Sequence, residues 1–401
     1  MPTTDKTLRS QSDNSRRRSG KSIPFADLAA DLDRLSEIGR RRALERFVGL
    51  DFTSNDYLGL ANSDELRAAA GEALSRRVPV GSGGSRLLRG NHPEHEALEQ
   101  TAAAFFGVES ALYFSSGYAA NQTLFATAPQ RGDLVVHDEW IHASVRDGMR
   151  QGRAEIVGAR HNDAQSVDDE ICRWRERGGV GRVWIAVESL YSMDGDGPDL
   201  AELDALASHR DALLVIDEAH ATGVLGPHGR GSAAFLEGHD NVVTVHTCGK
   251  ALGTVGAFVC APRVLTDFLI NRGRPFIFAT APSPLIAAIT RAAITLCERS
   301  DARRERLQGL VDLATRELLR HCGLTASGSH ILPIMIGDDR AAADLASRLR
   351  AQGLDVRAIR PPTVPVGTAR LRIALSLNID ETAVARLFQT LALEMAAEPV
   401  Q

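Results

Sequence analysis

Two short stretches of this sequence hold side chains whose types suit covalent chemistry. One is Cys248-Gly249-Lys250-Ala251 and the other is Asp217-Glu218-Ala219-His220. A lysine amine can condense with a carbonyl, and a carboxylate can keep a pyridinium nitrogen protonated. That pairing of an amine with an acid is what pyridoxal phosphate (PLP) requires, and a histidine beside them makes a chemical constellation. Taken singly, each residue has a plainer reading. A Gly-Lys pair is ordinarily a surface turn, and an aspartate ordinarily caps a helix. A phosphate-loop reading of Gly249-Lys250 fails on spacing, because that motif needs glycine where Thr244 stands and Ser or Thr where Ala251 stands. The other lysines, Lys6 and Lys21, lie in the polar start of the chain, so a lysine placed after an apolar run stands out.

The surrounding pattern predicts how these residues are positioned. Val242-Val243-Thr244-Val245 reads as a buried strand that turns at His246-Thr247-Cys248-Gly249, and Leu213-Leu214-Val215-Ile216 reads as a strand ending at Asp217. Parallel strands of an α/β sheet bring their carboxyl ends to one crevice. Ala111 to Phe114 is a further strand, followed by Ser115-Ser116-Gly117-Tyr118 and a helix beginning near Ala119. Free N–H groups and a positive dipole end there suit a phosphate, with Tyr118 beside it. Leu134-Val135-Val136 leads to His142, which could cap a helix, sit in the core or lie flat against an aromatic cofactor. Val183 to Val187 is nearly continuously apolar, as strands covered on both faces are, and ends at Glu188-Ser189-Leu190-Tyr191-Ser192. Strand–helix alternation from about 110 to 260 predicts a doubly wound parallel sheet.

Residues 1 to about 22 read as a disordered polar tail without the apolar core of a secretory signal. A helix is predicted over Phe25–Phe47, with Arg40-Arg41-Arg42 near its end. Asp51 to Leu60 reads as a strand leading to a turn. Gly81 to Arg86 is a glycine-rich loop without dinucleotide-binding spacing. Pro93 to Phe106 reads as a helix with Glu96 and Glu99 outward and Leu98 inward. Pro284 to Arg320 reads as one long helical region leading into a small α+β unit. That unit has strands at Ile331–Ile336 and Leu371–Leu375 and helices at Ala341–Gln352 and Glu381–Ala397. A proline-rich stretch, Ile359 to Arg372, lies between them. Arg370 and Arg372 share a strand face by parity; one could be solvated and the other could fork onto a carboxylate. The predicted division is a tail and helical arm over 1–50, a large domain over 51–285 and a small domain over 286–401.

The bulk numbers set bounds. A 401-residue chain with 44% hydrophobic and 24% charged residues has room for a large core. A net charge of −5 gives no nucleic-acid footprint. No stretch approaches the roughly 18 apolar residues needed to span a bilayer. Five scattered cysteines read as reduced thiols of a cytoplasmic protein, and no cluster has zinc-ligand spacing.

Across roughly residues 50 to 390 the chain resembles the α-oxoamine synthases, a family of fold-type-I PLP enzymes. The likeness rests on Asn55-Asp56-Tyr57-Leu58-Gly59-Leu60, Gly81 to Arg86, Ser116-Gly117-Tyr118, Ser192-Met193-Asp194-Gly195, Asp217-Glu218-Ala219-His220 and Gly249-Lys250. It implies an α/β fold with a mainly parallel sheet in the large domain and a smaller α+β C-terminal domain. It also implies roles. Lys250 would bind PLP covalently and act as base, Asp217 would pair with the pyridinium nitrogen, and His142 would stack on the ring. Ser192 and His220 would meet the phenolic oxygen, and Gly117, Tyr118 and Thr247 the phosphate. Arg372 would grip the amino-acid carboxylate, with Thr363 lining the substrate site.

A closer likeness over Ile359 to Arg372 implies members that condense L-alanine with a pimeloyl thioester, on coenzyme A or acyl carrier protein. Such members are homodimers with the active site at the interface, and Thr280 would reach the partner's phosphate. The chain departs from the family at its start. Only Ala43 to Leu50 stands where members carry a small β-hairpin. Of Arg40, Arg41 and Arg42, Arg41 is the expected contact for the far carboxylate of the acyl chain. Rival readings are sister synthases making aminolevulinate, 2-amino-3-ketobutyrate or a sphingoid base, and a PLP aminotransferase. Inactive structural subunits of the family lack the lysine that is present here.

Overall fold

The computed structural model describes residues 25–44, 46 and 49–397, and the chain divides into segments 1–46 and 47–401. The predicted tail lies outside the described residues. In the first segment the helix spans Ala26–Glu37, shorter than expected, because Gly39 turns to φ 66°. The Arg40 and Arg41 N–H groups fold back onto the Leu35 carbonyl (2.7 and 3.1 Å), so Arg40 to Arg42 follow the helix instead of riding on it.

Among the described residues the second segment is built on twelve strands. They are β1 (Leu50–Asp51), β2 (Ser110–Phe114), β3 (Leu134–Asp138), β4 (Glu155–Ala159), β5 (Val183–Glu188), β6 (Ala212–Asp217), β7 (Val242–Thr247), β8 (Ala257–Ala261), β9 (Ile331–Gly337), β10 (Leu354–Asp355), β11 (Arg357–Ile359) and β12 (Ala369–Ala374). Seven of them form one sheet in the order β2-β8-β7-β6-β5-β3-β4. The five from β7 to β4 run parallel, and β8 is antiparallel to both of its neighbours. Alternation along β5 explains why this sheet has two cores. Trp184 and Ala186 join Leu124, Phe125 and Met149 on one face. Val183, Ile185 and Val187 join Ile171, Trp174 and Leu203 on the other. Helices on both faces leave the carboxyl ends of β3, β5, β6 and β7 as the open edge of the sheet.

A second sheet, β11-β12-β9, is antiparallel. β1 pairs with β10 and is only two residues long, so most of the strand-and-turn stretch read over Asp51 to Leu60 is turn. Beyond it Asp56 accepts from the N–H of Leu60 at 2.9 Å, and Gly59 takes φ 63°. The stretch is nevertheless tied to the small sheet, since Ala374 N donates to Phe52 O (2.8 Å) and Leu377 N donates to Tyr57 O (3.0 Å). This tether brings Asn55 and Tyr57 beside β12.

The region read as one long helix is two, Pro284–Glu298 and Asp301–Cys322. Ser300 breaks it by bonding its hydroxyl back to the Leu296 carbonyl (2.7 Å), and Arg304 takes the Cys297 carbonyl (2.9 Å). Glu99, expected outward, is drawn in by a two-pronged pair with Arg86 (2.9 and 2.8 Å) and accepts from Tyr113 N at 2.9 Å. No helix among the described residues is long and apolar enough to cross a membrane.

Candidate active site

β6 and β7 are parallel neighbours, so Asp217 and the turn carrying Lys250 leave the sheet side by side. Asp217 is 6% exposed. Its two oxygens accept from Ala219 N (2.9 Å) and Asn121 Nδ2 (2.6 Å). Asn121 also donates to Ser144 Oγ (3.0 Å), which meets His142 Nδ1 at 2.7 Å. One polar chain therefore runs from the strand end to His142. That histidine does cap the helix Ala143–Gln151, and it also belongs to this cluster. Its ring keeps an exposed face. The protein packed around it lowers its pKa, the Lys250 amine adds to this and Asp217 opposes it.

Lys250 is held in a tight turn by Gly253 N to Lys250 O (2.8 Å) and Thr254 N to Cys248 O (2.9 Å). Gly253 has to be glycine, because a Cβ there would stand 2.4 Å from Ala61 N. Burial lowers the Lys250 pKa to about 8; Asp217 and Glu188 oppose this, and Arg372 reinforces it. Such an amine is neutral for part of the time near pH 7, as a nucleophile must be.

The helix after β2 begins at Gly117, two residues earlier than expected, because Ser116 Oγ accepts from Ala119 N (3.1 Å). A Cβ on Gly117 would stand 3.6 Å from Thr247 Oγ1, so the helix start and the β7 end form one cradle. The first N–H groups of a helix have no intrahelical acceptor and carry its positive end. Tyr118 is half exposed there and bonds to Asp147.

On the other side, His220 Nδ1 lies 2.6 Å from the Tyr57 hydroxyl. Arg372 is 8% exposed and donates to Ser192 O (2.5 Å) and Asn55 Oδ1 (3.1 Å). Arg370 is buried and ion-pairs with Asp194 of the same turn, so neither arginine of this face is solvated, contrary to the expectation that one would be. Thr363 is exposed in its loop, with its N–H on Arg360 O (3.0 Å) and no described contact to this cluster. Arg41 belongs to the segment before residue 47, where it reaches Ser36 Oγ at 3.4 Å.

Asn121, Glu188, Tyr57 and His330 were not singled out as site residues from sequence. Glu188 ends β5 as Asp217 ends β6, a parallel that was readable. Asn121 lies one turn past Gly117 and looks like any polar helical residue.

These features accord with the similarities found. A family model described as aminotransferase class I and II matches residues 48–391. An 8-amino-7-oxononanoate synthase from Geobacter sulfurreducens is 40% identical, covering 91% of this chain and 97% of its own. SPT solved with PLP superposes with a TM-score of 0.83 at 28% identity, covering 92% and 97%. An 8-amino-7-oxononanoate synthase from Francisella tularensis gives 0.72 at 27%, covering 86% and 98%. By the extent of that match and the 40% identity over nearly its whole length, the chain belongs to the class I and II aminotransferase family.

Proposed function

We propose that this protein catalyses the decarboxylative condensation of L-alanine with a pimeloyl thioester. The products are 8-amino-7-oxononanoate, CO2 and a free thiol. The observation that carries the reading is the grouping of Lys250, Asp217 and Arg372 at one sheet edge, in a chain 40% identical to a synthase of that name.

The residues present fit PLP. A buried acid, an amine of lowered pKa and a helix start facing Thr247 answer to its ring nitrogen, its aldehyde and its phosphate. When bound, PLP supplies the aldehyde that Lys250 captures and a ring that takes up the charge left at the amino-acid Cα. Asp217, oriented by Asn121 and Ala219, keeps a proton on the ring nitrogen. Gly117, Tyr118 and Thr247 would hold the phosphate, and His142 would lie against the ring. Ser192 and His220 meet the phenolic oxygen. Arg372 would grip the alanine carboxylate, and Lys250, freed as an amine when the alanine amine takes its place, would remove the Cα proton. Thr363 would line the substrate site.

We further propose a homodimer. Exposed Val80, Leu87, Leu88 and Phe278, around the glycine-rich loop and near Thr280, favour a second copy there. The five cysteines are all free, in keeping with a reducing cytoplasm. A sister synthase remains the second reading, because the fold match to SPT is the higher one, 0.83 against 0.72. Incubation with PLP, a panel of amino acids and a panel of acyl thioesters decides between them. Alanine with pimeloyl thioester is expected to release CO2 and thiol fastest. Serine with a long-chain thioester would be fastest for the second reading, and pyruvate without thiol would mark an aminotransferase.

A further inference from the structure

Tyr57 is completely buried, and its hydroxyl is the meeting point of three segments distant in sequence. It lies 2.6 Å from His220 Nδ1, 3.0 Å from Asn55 Oδ1 and 3.5 Å from an Nη of Arg372. The backbone holds it there through Tyr57 N to Asn55 O (2.8 Å) and Leu377 N to Tyr57 O (3.0 Å). The ring packs edge-on against His330, with centroids 4.1 Å apart. The hydroxyl is therefore fixed, and what remains open is where its one proton points.

A phenol donates one hydrogen bond and accepts others. Burial raises the Tyr57 pKa to about 12, although Arg372 opposes this, so the proton stays on the oxygen. Two acceptors are within reach, the Asn55 amide oxygen and the His220 imidazole. The imidazole is the stronger base and the nearer atom. The Asn55 oxygen already receives a hydrogen from Arg372 (3.1 Å). The tyrosine proton therefore goes to His220. Burial, with Lys250, Arg372, His330 and His142 adding to it, holds the His220 pKa well below the ordinary imidazole value, so the ring is neutral. A neutral imidazole that accepts at Nδ1 carries its only hydrogen at Nε2.

We propose that Tyr57 is a positioning residue that fixes His220 as the Nε2–H tautomer and links that hydrogen to the carboxylate-binding Arg372. The inference rests on the PLP reading, in which His220 meets the cofactor's phenolic oxygen. An Nε2–H can donate to that oxygen, whereas a bare Nε2 would present a lone pair to it. The link to Arg372 has a direction. Its N–H donates into the tyrosine oxygen, and a hydroxyl that accepts is a better donor. A carboxylate arriving at Arg372 competes for that N–H, so occupancy of the substrate site is felt at His220.

The test is Tyr57→Phe, which keeps the ring and removes one oxygen. Protein labelled with 15N-histidine is compared without ligand, with PLP, and with PLP plus alanine. The His220 resonances are assigned by their loss in His220→Gln. The wild-type protein is expected to show a protonated Nε2 and a bare Nδ1 in all three states, with a change in Nδ1 on adding alanine. In Tyr57→Phe the hydrogen is expected to spread over both nitrogens. The visible pH titration of the lysine-bound cofactor should move upward by about one pH unit, the size of one lost neutral hydrogen bond. A folded Tyr57→Phe protein with wild-type histidine shifts and a wild-type titration overturns the proposal. Should that variant fail to fold, Asn55→Ala serves instead. It leaves Tyr57 in place and should keep the Nε2–H tautomer, and a change of tautomer there means that Asn55 held the tyrosine proton and the proposal is wrong. A wild-type protein that takes up no PLP refutes the functional reading, while the ligand-free spectra still decide the tautomer.

Discussion

Glu188 and Asp217 stand directly opposite each other at the ends of neighbouring parallel strands, 3% and 6% exposed. Asp217 receives two N–H donors, which suit a carboxylate. Glu188 is pushed well above the ordinary 4.5 by burial first and by Asp217 second, with Lys250 and the backbone of His142 opposing. Burial and the neighbouring acid favour the protonated form of Glu188, while both Asp217 oxygens face N–H donors.

A raised folded pKa means that the folded protein binds the proton more tightly than the unfolded chain. Stability then falls as pH rises past the ordinary carboxyl value toward the folded one. Glu188→Gln removes that dependence and keeps the shape of the side chain. Its melting temperature, measured without PLP, should gain on the wild type steadily from about pH 5 upward. Parallel melting curves over that range would mean that Glu188 is ionised in the fold.

Lys250→Ala should abolish the visible absorbance of lysine-bound PLP and stop turnover, because Lys6 and Lys21 lie in no comparable motif. A variant that still fixes PLP on borohydride reduction at this site would put the nucleophile elsewhere.

Asp217→Asn should bind PLP and lose most activity. An amide cannot hold the ring proton, and its own NH2 would turn against Asn121 Nδ2, now 2.6 Å from the Asp217 carboxylate. The check is CO2 release under saturating alanine together with a PLP titration. Activity close to wild type would remove Asp217 from its role.

The residues that sequence revealed and those it hid differ in how local their signals are. Lys250 and Asp217 each follow an apolar run that ends in a turn, a pattern contained in a few residues, and adjacent parallel strands then place them together. Tyr57 and His220 are 163 positions apart, and nothing near either one announces the other. Asn121 was hidden in the same way, since its partner Asp217 is 96 positions away. The break at Ser300 was missed because periodicity continues through it, and only a side chain turned back on Leu296 divides the helix. The strand leading to a turn read over Asp51 to Leu60 is there, but the strand is only Leu50–Asp51, and the turn is fixed by Asp56 gathering backbone N–H groups.

Arg372 gives the sharpest test of the substrate assignment. Its guanidinium donates to Ser192 O and Asn55 Oδ1, and a guanidinium is planar with paired donors, suited to an α-carboxylate. Lysine would keep the charge and lose the fork. Arg372→Lys should therefore raise the alanine requirement, and Arg372→Ala should raise it further. Loss of a charge-assisted pair costs roughly 1.5–3 kcal/mol, a 10- to 150-fold loss of affinity. PLP binding should hardly change, because Lys250, Asp217 and the cradle at Gly117 retain it. Arg370 is the internal control. It is 2% exposed and committed to Asp194, so Arg370→Ala leaves a half-buried acid without its partner. That change should lower the melting temperature more than the Arg372 substitutions do, and should disturb alanine binding only through the Ser192 turn. Alanine titrations of both variants decide the matter. If Arg370→Ala weakens alanine binding more than Arg372→Ala, the carboxylate belongs to Arg370, and the contacts from Arg372 to Asn55 and Ser192 serve only to hold the two sheets together.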